Sequence, residues 1–301
     1  MQNNSLLLTG ASGFLGINAM PLVSTRYKVR TMGLIKDDNY HVNLSKKIPE
    51  LKERNTVVLH AAGKAHSVPR TEAEEKAFFD VNLQGTKNLC AALEKVGVPD
   101  SFIFISTVAV YGLEYGELIT ENHPLNGNTP YALSKIQAEE FLTDWSYKHG
   151  VKLSIIRPSL IAGPNPPGNL GAMINGIKTG KYLSISGGKA RKSVLMVQDI
   201  ANLVPLLAEK GGTYNVCDSE QPSFRDLEKL IALQLGKSQP LSIPYSFAKL
   251  LARIGDLLGN RAPINTPKLD KITRSLTFSN EKARKELGWE PLNVLENFKI
   301  K

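Results

Sequence analysis

Thr9-Gly10-Ala11-Ser12-Gly13-Phe14-Leu15-Gly16 follows the apolar run Leu6-Leu7-Leu8 directly and leads into a segment of helical character. A short apolar run, glycines at intervals of three and then a helix start make a strand–turn–helix whose backbone must pass close to something. Glycine keeps Cβ atoms clear of a pyrophosphate, and a helix N-terminus offers free N–H groups and the positive end of a dipole. The spacing is Gly-x-x-Gly-x-x-Gly, for which the plain alternative is an ordinary tight turn. The strand before it and the helix after it favour dinucleotide binding, with Gly10, Ser12, Gly13, Phe14, Leu15 and Gly16 at the phosphates.

Outward from this loop the pattern repeats. Strand-like residues 27–32, 56–59, 102–106 and 151–157 alternate with helical stretches over 72–96 and 129–149. This rhythm predicts an α/β protein, a doubly wound parallel (Rossmann) sheet with helices on both faces, over residues 1–160. Pro21 falls inside the first helix, where it should kink or end it. After Pro158 the pattern changes. Residues 162–171, rich in Gly, Pro and Asn, suggest a long loop. Short helices over 170–179, 223–235 and 246–258, with strand-like pieces at 183–186, 193–197 and 213–216, predict a smaller substrate lobe over 161–301, some of whose segments return to the sheet.

The chain has 301 residues, 42% hydrophobic and 22% charged. That composition supports a sizeable core and excludes a disordered chain. At about 150 residues per domain, the length suits one α/β domain with an appended lobe. No run approaches the ~18 apolar residues of a membrane span. Residues 1–5 are polar and lack the form of a secretory signal, so a cytoplasmic location without stable membrane insertion is expected. Lys and Arg number 37 and Asp and Glu 28, a net charge of +9. Without a consecutive basic block or a recognisable binding module, that charge points to a small anionic ligand rather than nucleic acid. Cys90 and Cys217 lack metal or dithiol spacing and read as buried thiols, so no metal site is expected.

Tyr131-Ala132-Leu133-Ser134-Lys135 places a phenol and an ammonium at i and i+4, on one helix face. A phenol with a pKa near 10 is a poor acid–base group at neutral pH. Lowering it by about three units takes roughly 4 kcal/mol, which Lys135 and the positive charge of an oxidised nicotinamide would supply. An acid at the end of the second strand usually selects NAD, and a nearby Arg suits NADP. The expected position, near Gly33, is not acidic. Arg30 and Lys36 are candidates for a 2′-phosphate or plain surface bases, so NAD or NADP stays open.

With these motifs the chain resembles the extended short-chain dehydrogenases/reductases of the NAD-dependent epimerase/dehydratase type. The resemblance continues through His60-Ala61-Ala62-Gly63, Val81-Asn82-Leu83-Gln84-Gly85-Thr86, residues 104–112, Arg157-Pro158 and Leu287-Gly288-Trp289. It implies that Tyr131 is the acid/base, that Lys135 binds the nicotinamide ribose, and that Thr107 hydrogen-bonds the reacting sugar oxygen, with a capped strand end as the plain alternative for Thr107. It implies cofactor contacts from Ala61, Ala62, Gly63, Asn82 and Pro158. Asn43 and Leu44 fall where an Asp often meets the adenine.

Leu160 stands where the family often has an Asn reaching the nucleotide-sugar, and Ala162 replaces a common Tyr. These departures resemble the UDP-N-acetylquinovosamine-forming 4-reductases, as do Gly63-Lys64-Ala65-His66, Arg191-Lys192-Ser193 and residues 274–278. That similarity implies a UDP-sugar substrate met by Lys64, His66, Thr107, Tyr131, Asn169, Arg191, Lys192 and Arg274. The implied reaction reduces the 4-keto group of a UDP-4-keto-6-deoxy-N-acetylhexosamine in surface-polysaccharide precursor synthesis. A nucleotide-sugar 4-epimerase and, more remotely, a non-catalytic dinucleotide-binding module are the alternatives. Val108 beside Thr107 disfavours a dehydratase, and a homodimer is possible within the family. Residues 178–192 hold five Lys/Arg and no acid, either a solvated basic face or a grip for a diphosphate. The apolar segment 246–258, with Lys249, Arg253 and Asp256 interspersed, suggests a lid or core helix, with a membrane-surface helix as the alternative.

Overall fold

The computed structural model describes residues 4–65, 67–258 and 264–300. The chain opens with β1 (Ser5–Thr9), α1 (Phe14–Val23), β2 (Lys28–Gly33), β3 (Tyr40–His41) and β4 (Val57–His60). A helical rod follows, α2 (Glu72–Phe79) and α3 (Gly85–Val96) joined by a π-helical turn over Asp80–Gln84. Next come β5 (Ser101–Ile105), β6 (Gly116–Ile119), α4 (Pro130–His149), β7 (Lys152–Pro158), β8 (Leu160–Ala162) and α5 (Gly168–Lys178). Then come β9 (Ser184–Ile185), β10 (Val194–Met196), α6 (Val197–Lys210), β11 (Gly212–Val216), α7 (Phe224–Gln234), β12 (Ser242–Ile243) and α8 (Tyr245–Leu258). Last are α9 (Thr266–Thr273), β13 (Leu276–Phe278), α10 (Glu281–Leu287) and α11 (Val294–Asn297).

Seven strands form one sheet in the order β11-β7-β5-β4-β1-β2-β3, and every pairing is parallel. This is the expected doubly wound sheet. A parallel sheet needs apolar cover on both faces, and alternate residues of each strand supply it. Leu6, Leu8, Leu59 and Ile103 pack towards α1 and α6, while Leu7, Val58, Phe102 and Phe104 pack towards α3 and α4. Strand order reverses at β1, with β2 on one side and β4 on the other. The carboxyl ends of β1 and β4 therefore flank the crevice where ligands of such sheets bind.

Local sequence sets the helix ends. Thr129 caps α4 by accepting from the Ala132 N–H, Pro130 occupies its first turn, and Gly150 closes it at φ +66°. Thr71 caps α2 above the acids Glu72, Glu74 and Glu75. Pro21 lies in the last turn of α1, which ends two residues later, so only the bond to the Ile17 carbonyl is lost.

Residues beyond 160 return to the sheet extensively. α6, β11 and α10 all belong to the Rossmann core, through Ile200, Leu207, Val216 and Leu287. α6, which runs through Pro205, is not among the helices read from the sequence. Its signal was Ile200, Leu203, Val204 and Leu207 at i, i+3, i+4 and i+7. The long loop is shorter than expected, since α5 already starts at Gly168. Cys90 and Cys217 are free and buried, their thiols pushed up by burial. No helix among the described residues is long and apolar enough to cross a membrane.

Candidate active site

The glycine loop leaves β1 at its carboxyl end. Gly10 adopts φ +74°, and a Cβ there would stand 2.7 Å from the Ala62 nitrogen, so two backbone segments meet where no side chain fits. A Cβ on Gly16 would collide with the Gly10 carbonyl and Ala11. Gly13 starts α1 with no side-chain cap and no acid in the first turn, so the helix presents bare N–H groups at the crevice. Ser12 is exposed there, with Phe14 and Leu15 half-buried behind it. These residues fit the pyrophosphate of a nicotinamide dinucleotide. Gly16→Ala is expected to abolish cofactor binding and lower stability, both read by calorimetry with and without NADH.

Tyr131 and Lys135 lie on the inner face of α4. The Lys135 ammonium donates to the Ile105 carbonyl (2.8 Å) and sits over the Phe104 ring, 4.5 Å from its centroid. It lies beside Gly63, 3.3 Å from where a Cβ would be. Burial lowers its pKa to about 8, against the raising pull of Glu139 one turn on. Thr107, two residues past β5, accepts from the Ala109 N–H (3.2 Å) and hydrogen-bonds the Tyr131 hydroxyl. The capped strand end and the position beside Tyr131 are thus both occupied by one side chain. Burial raises the Tyr131 phenol above its ordinary 10, and the Thr107 hydrogen bond only partly offsets this. The depressed phenol expected from the sequence is not what the protein alone produces, because Tyr131 is more desolvated than it is stabilised by neighbouring charge.

A buried hydrogen-bond chain holds this cluster to the sheet. Asn82, in the π-helical turn, is buried. It accepts from the Lys64 N–H (2.7 Å) and donates to the Lys64 carbonyl (3.1 Å) and the Ser134 hydroxyl (2.9 Å). Thr86 donates to the Asn82 carbonyl (2.6 Å), which leaves its oxygen to accept from His60 Nε2 (2.9 Å). His60 Nδ1 must then accept from Thr9 (2.6 Å), whose oxygen accepts the Ala62 N–H (3.1 Å). Burial, helped by Lys135, lowers the His60 pKa to about 3. The unfolded chain, with an ordinary value near 6.5, therefore binds one more proton between those limits. Stability is intact above pH 6.5 and is expected to fall by about 1.4 kcal/mol per unit below it, as urea unfolding at successive pH values would show.

Beneath α4, Glu139 takes the Arg157 guanidinium (Nη2 to Oε2, 2.6 Å) and the Ser106 hydroxyl, and Arg157 also donates to the Tyr111 hydroxyl (3.0 Å). Pro158 ends β7 and is buried.

At the far end of the crevice lie Arg30, Asp38, Asn43 and Leu44. Arg30 is mid-strand, its guanidinium paired with Glu53 and with Asn55 Oδ1 (3.2 Å). Asp38 is the acid that stands beside Gly33. Its carboxylate lies 2.6 Å from where a Gly33 Cβ would be and accepts from the Ile35 N–H (3.2 Å). Sequence spacing hid it, because a turn folds it back from five residues past the strand end. Asn43 Oδ1 accepts from the Ser45 N–H (3.0 Å) and hydroxyl (2.8 Å), and buried Leu44 gives its carbonyl to Asn88 (2.7 Å), both just past β3.

The loop that begins at Thr107 carries Glu114 and Tyr115 into the second lobe. Arg274 stacks over the Tyr115 ring (4.1 Å), and Glu114 pairs with Lys271 (3.2 Å). Lys192 joins the same edge by bridging to Leu276, its pKa lowered to about 8 chiefly by burial. Exposed Arg191 donates from one nitrogen to the Gln221 carbonyl (2.8 Å). A cavity of about 360 Å³ opens here between Lys189, Asp270, Tyr245 and Arg274. Asn169 is exposed on the first turn of α5, and Lys64 stands 5.3 Å from the centre of the Phe78 ring, which itself contacts Tyr131. His66 lies outside the described residues.

The model of the NAD dependent epimerase/dehydratase family matches residues 6–217. The N-acetyl-alpha-D-glucosaminyl-diphospho-ditrans,octacis-undecaprenol 4-epimerase of Escherichia coli O157:H7 is 30% identical over 93% of this chain and 88% of its own length. The GDP-6-deoxy-D-mannose reductase of Pseudomonas aeruginosa is 28% identical over 75% of this chain and 79% of its own. UDP-glucose 4-epimerase from Thermotoga maritima, solved with UDP-glucose, superposes with a TM-score of 0.75 over 97% of this chain and 95% of that one, at 21% identity. A nucleotide-ready glycine loop, a Tyr–Lys pair on one helix and a family match that begins at β1 and ends at β11 converge: the chain belongs to the NAD dependent epimerase/dehydratase family and is an NAD(P)-dependent enzyme of the short-chain dehydrogenase/reductase type.

Proposed function

We propose that the cleft at Tyr131 reduces the 4-keto group of a sugar carried on a diphosphate, with a UDP-4-keto-6-deoxy-N-acetylhexosamine as substrate, in the cytoplasm. The observation that carries this reading is the Tyr131 phenol, buried, hydrogen-bonded to Thr107 and one helical turn from the buried Lys135 ammonium. The phenol is protonated at neutral pH, the state a proton donor to a nascent alkoxide needs. Bound NADH or NADPH supplies the hydride. Tyr131 delivers its proton to the sugar oxygen, and Thr107, whose oxygen already accepts from Ala109, turns its own O–H towards that oxygen. Lys135, beside Gly63, would hold the nicotinamide ribose. Lys192 and Arg274 suit the diphosphate, and Leu160 offers a rotating sugar no polar anchor. Asp38 favours NAD(H), because a 2′-phosphate would face its carboxylate.

A 4-epimerase is the second reading. The E. coli relative bears that name, and Asp38 restores the ribose anchor that helps an epimerase retain its NAD. The test is incubation with UDP-4-keto-6-deoxy-N-acetylglucosamine and NADH or NADPH, beside UDP-glucose and UDP-N-acetylglucosamine without added cofactor. Loss of nicotinamide absorbance with the keto-sugar is expected. Conversion of the other two sugars to their 4-epimers, with the keto-sugar untouched, overturns the reductase reading.

A further inference from the structure

We propose that the outer face of α8 docks on an anionic lipid bilayer. Phe247, Leu250, Ile254 and Leu257, spaced by three, four and three residues, form one stripe and are 50, 55, 54 and 88% exposed. The inner face holds the small residues Ala248 and Ala252, packed with Ile185 and Leu269. The helix is therefore fixed to its lobe by alanines and turns its large apolar side chains outward, the reverse of a core helix.

Charge identifies what covers this stripe. Lys249 and Arg253 are exposed along one flank, where their long stems reach past an apolar contact to headgroups. Residues 237–274 contain seven Lys/Arg, of which Lys271 is paired with Glu114, two Asp and no Glu. One of those acids, Asp256, is already engaged by the Thr266 N–H (2.9 Å) and hydroxyl (2.6 Å). A second copy of the chain would bring the same cations face to face, whereas anionic headgroups complement them. Tyr245, the first residue of α8, lines the cavity that also holds Lys189 and Arg274, so docking would hold that cavity at the lipid surface. The inference stands apart from the catalytic reading, since vesicle binding is measured without turnover.

The experiment is co-flotation of the full chain with vesicles of phosphatidylcholine alone or mixed with phosphatidylglycerol, at low and high salt. The wild type is expected to bind the mixed vesicles at least roughly tenfold more strongly, with the difference lost at high salt. The double variant L250E/I254E should lose binding to both vesicles. K249E/R253E should lose only the preference for the anionic ones. All four positions are exposed, so circular dichroism and NADH affinity should match the wild type and report the fold intact. Failure of the wild type to bind either vesicle overturns the proposal, as does unchanged binding by L250E/I254E. So does a concentration-dependent dimer that this variant dissolves, because the face then belongs to a second copy.

Discussion

Tyr131→Phe is expected to lower turnover by about 10²-fold or more while the affinity for NADH moves little. The phenyl ring keeps its contact with Phe78 and its place on α4, so the substitution removes one hydroxyl and little else. That hydroxyl is the proton donor of the proposed reaction, and Thr107 is its hydrogen-bond partner. A fall in kcat with KM for the cofactor unchanged is the signature of a group that acts in the transition state. A variant that keeps the full rate removes Tyr131 from the mechanism. The pH dependence adds a second check. Because burial holds the phenol above 10, its own deprotonation should not limit reduction between pH 6 and 9, so any loss of rate on the alkaline side belongs to another group. Lys135, at about 8, is that group.

Glu139→Ala is expected to cost about 3–5 kcal/mol of stability, read by denaturant unfolding, because it strands the Arg157 guanidinium in a buried site. On the scale of a protein this size the melting temperature should fall by roughly 5–8 °C. The same variant should also alter the chemistry. Glu139 is the charge that supports the Lys135 ammonium against desolvation. Without it Lys135 loses its proton at lower pH, so the alkaline limb of kcat/KM should move down in pH. Glu139→Gln keeps the shape and some hydrogen bonds. It should recover part of the stability but not the position of that limb. If the limb stays in place in both variants, the carboxylate is purely structural.

The parts of the site legible in the sequence are those fixed by short spacing. The glycine loop is legible because it abuts a strand, Tyr131 and Lys135 because i and i+4 share a helix face, and Thr107 because it lies two residues from a strand end. The parts that were hidden depend on distant partners. Glu139 looks like an ordinary helix acid until β7 brings Arg157 beneath it, and Arg30 looks available until Glu53 claims it. Asp38 is invisible to spacing along the strand because a turn carries it back over Gly33. The stripe on α8 has the same periodicity whether it faces the core or the solvent, so only the packing of Ala248 and Ala252 decides which way it turns.

The return of α6 and β11 to the sheet sets the timetable of folding. One face of β1, β4 and β5 has its cover supplied in large part by residues 197–216. At about 5–20 residues per second on the ribosome, the first half of the sheet waits many seconds for the segment that closes it. Throughout that time a broad apolar surface and an unpaired edge at β7 stand open to other nascent chains. Pairings of such sequence separation also form slowly once the chain is free. Yield in the cell should then depend on chaperone supply and growth temperature, and a chain truncated near residue 160 should aggregate rather than persist as a smaller version of the same fold.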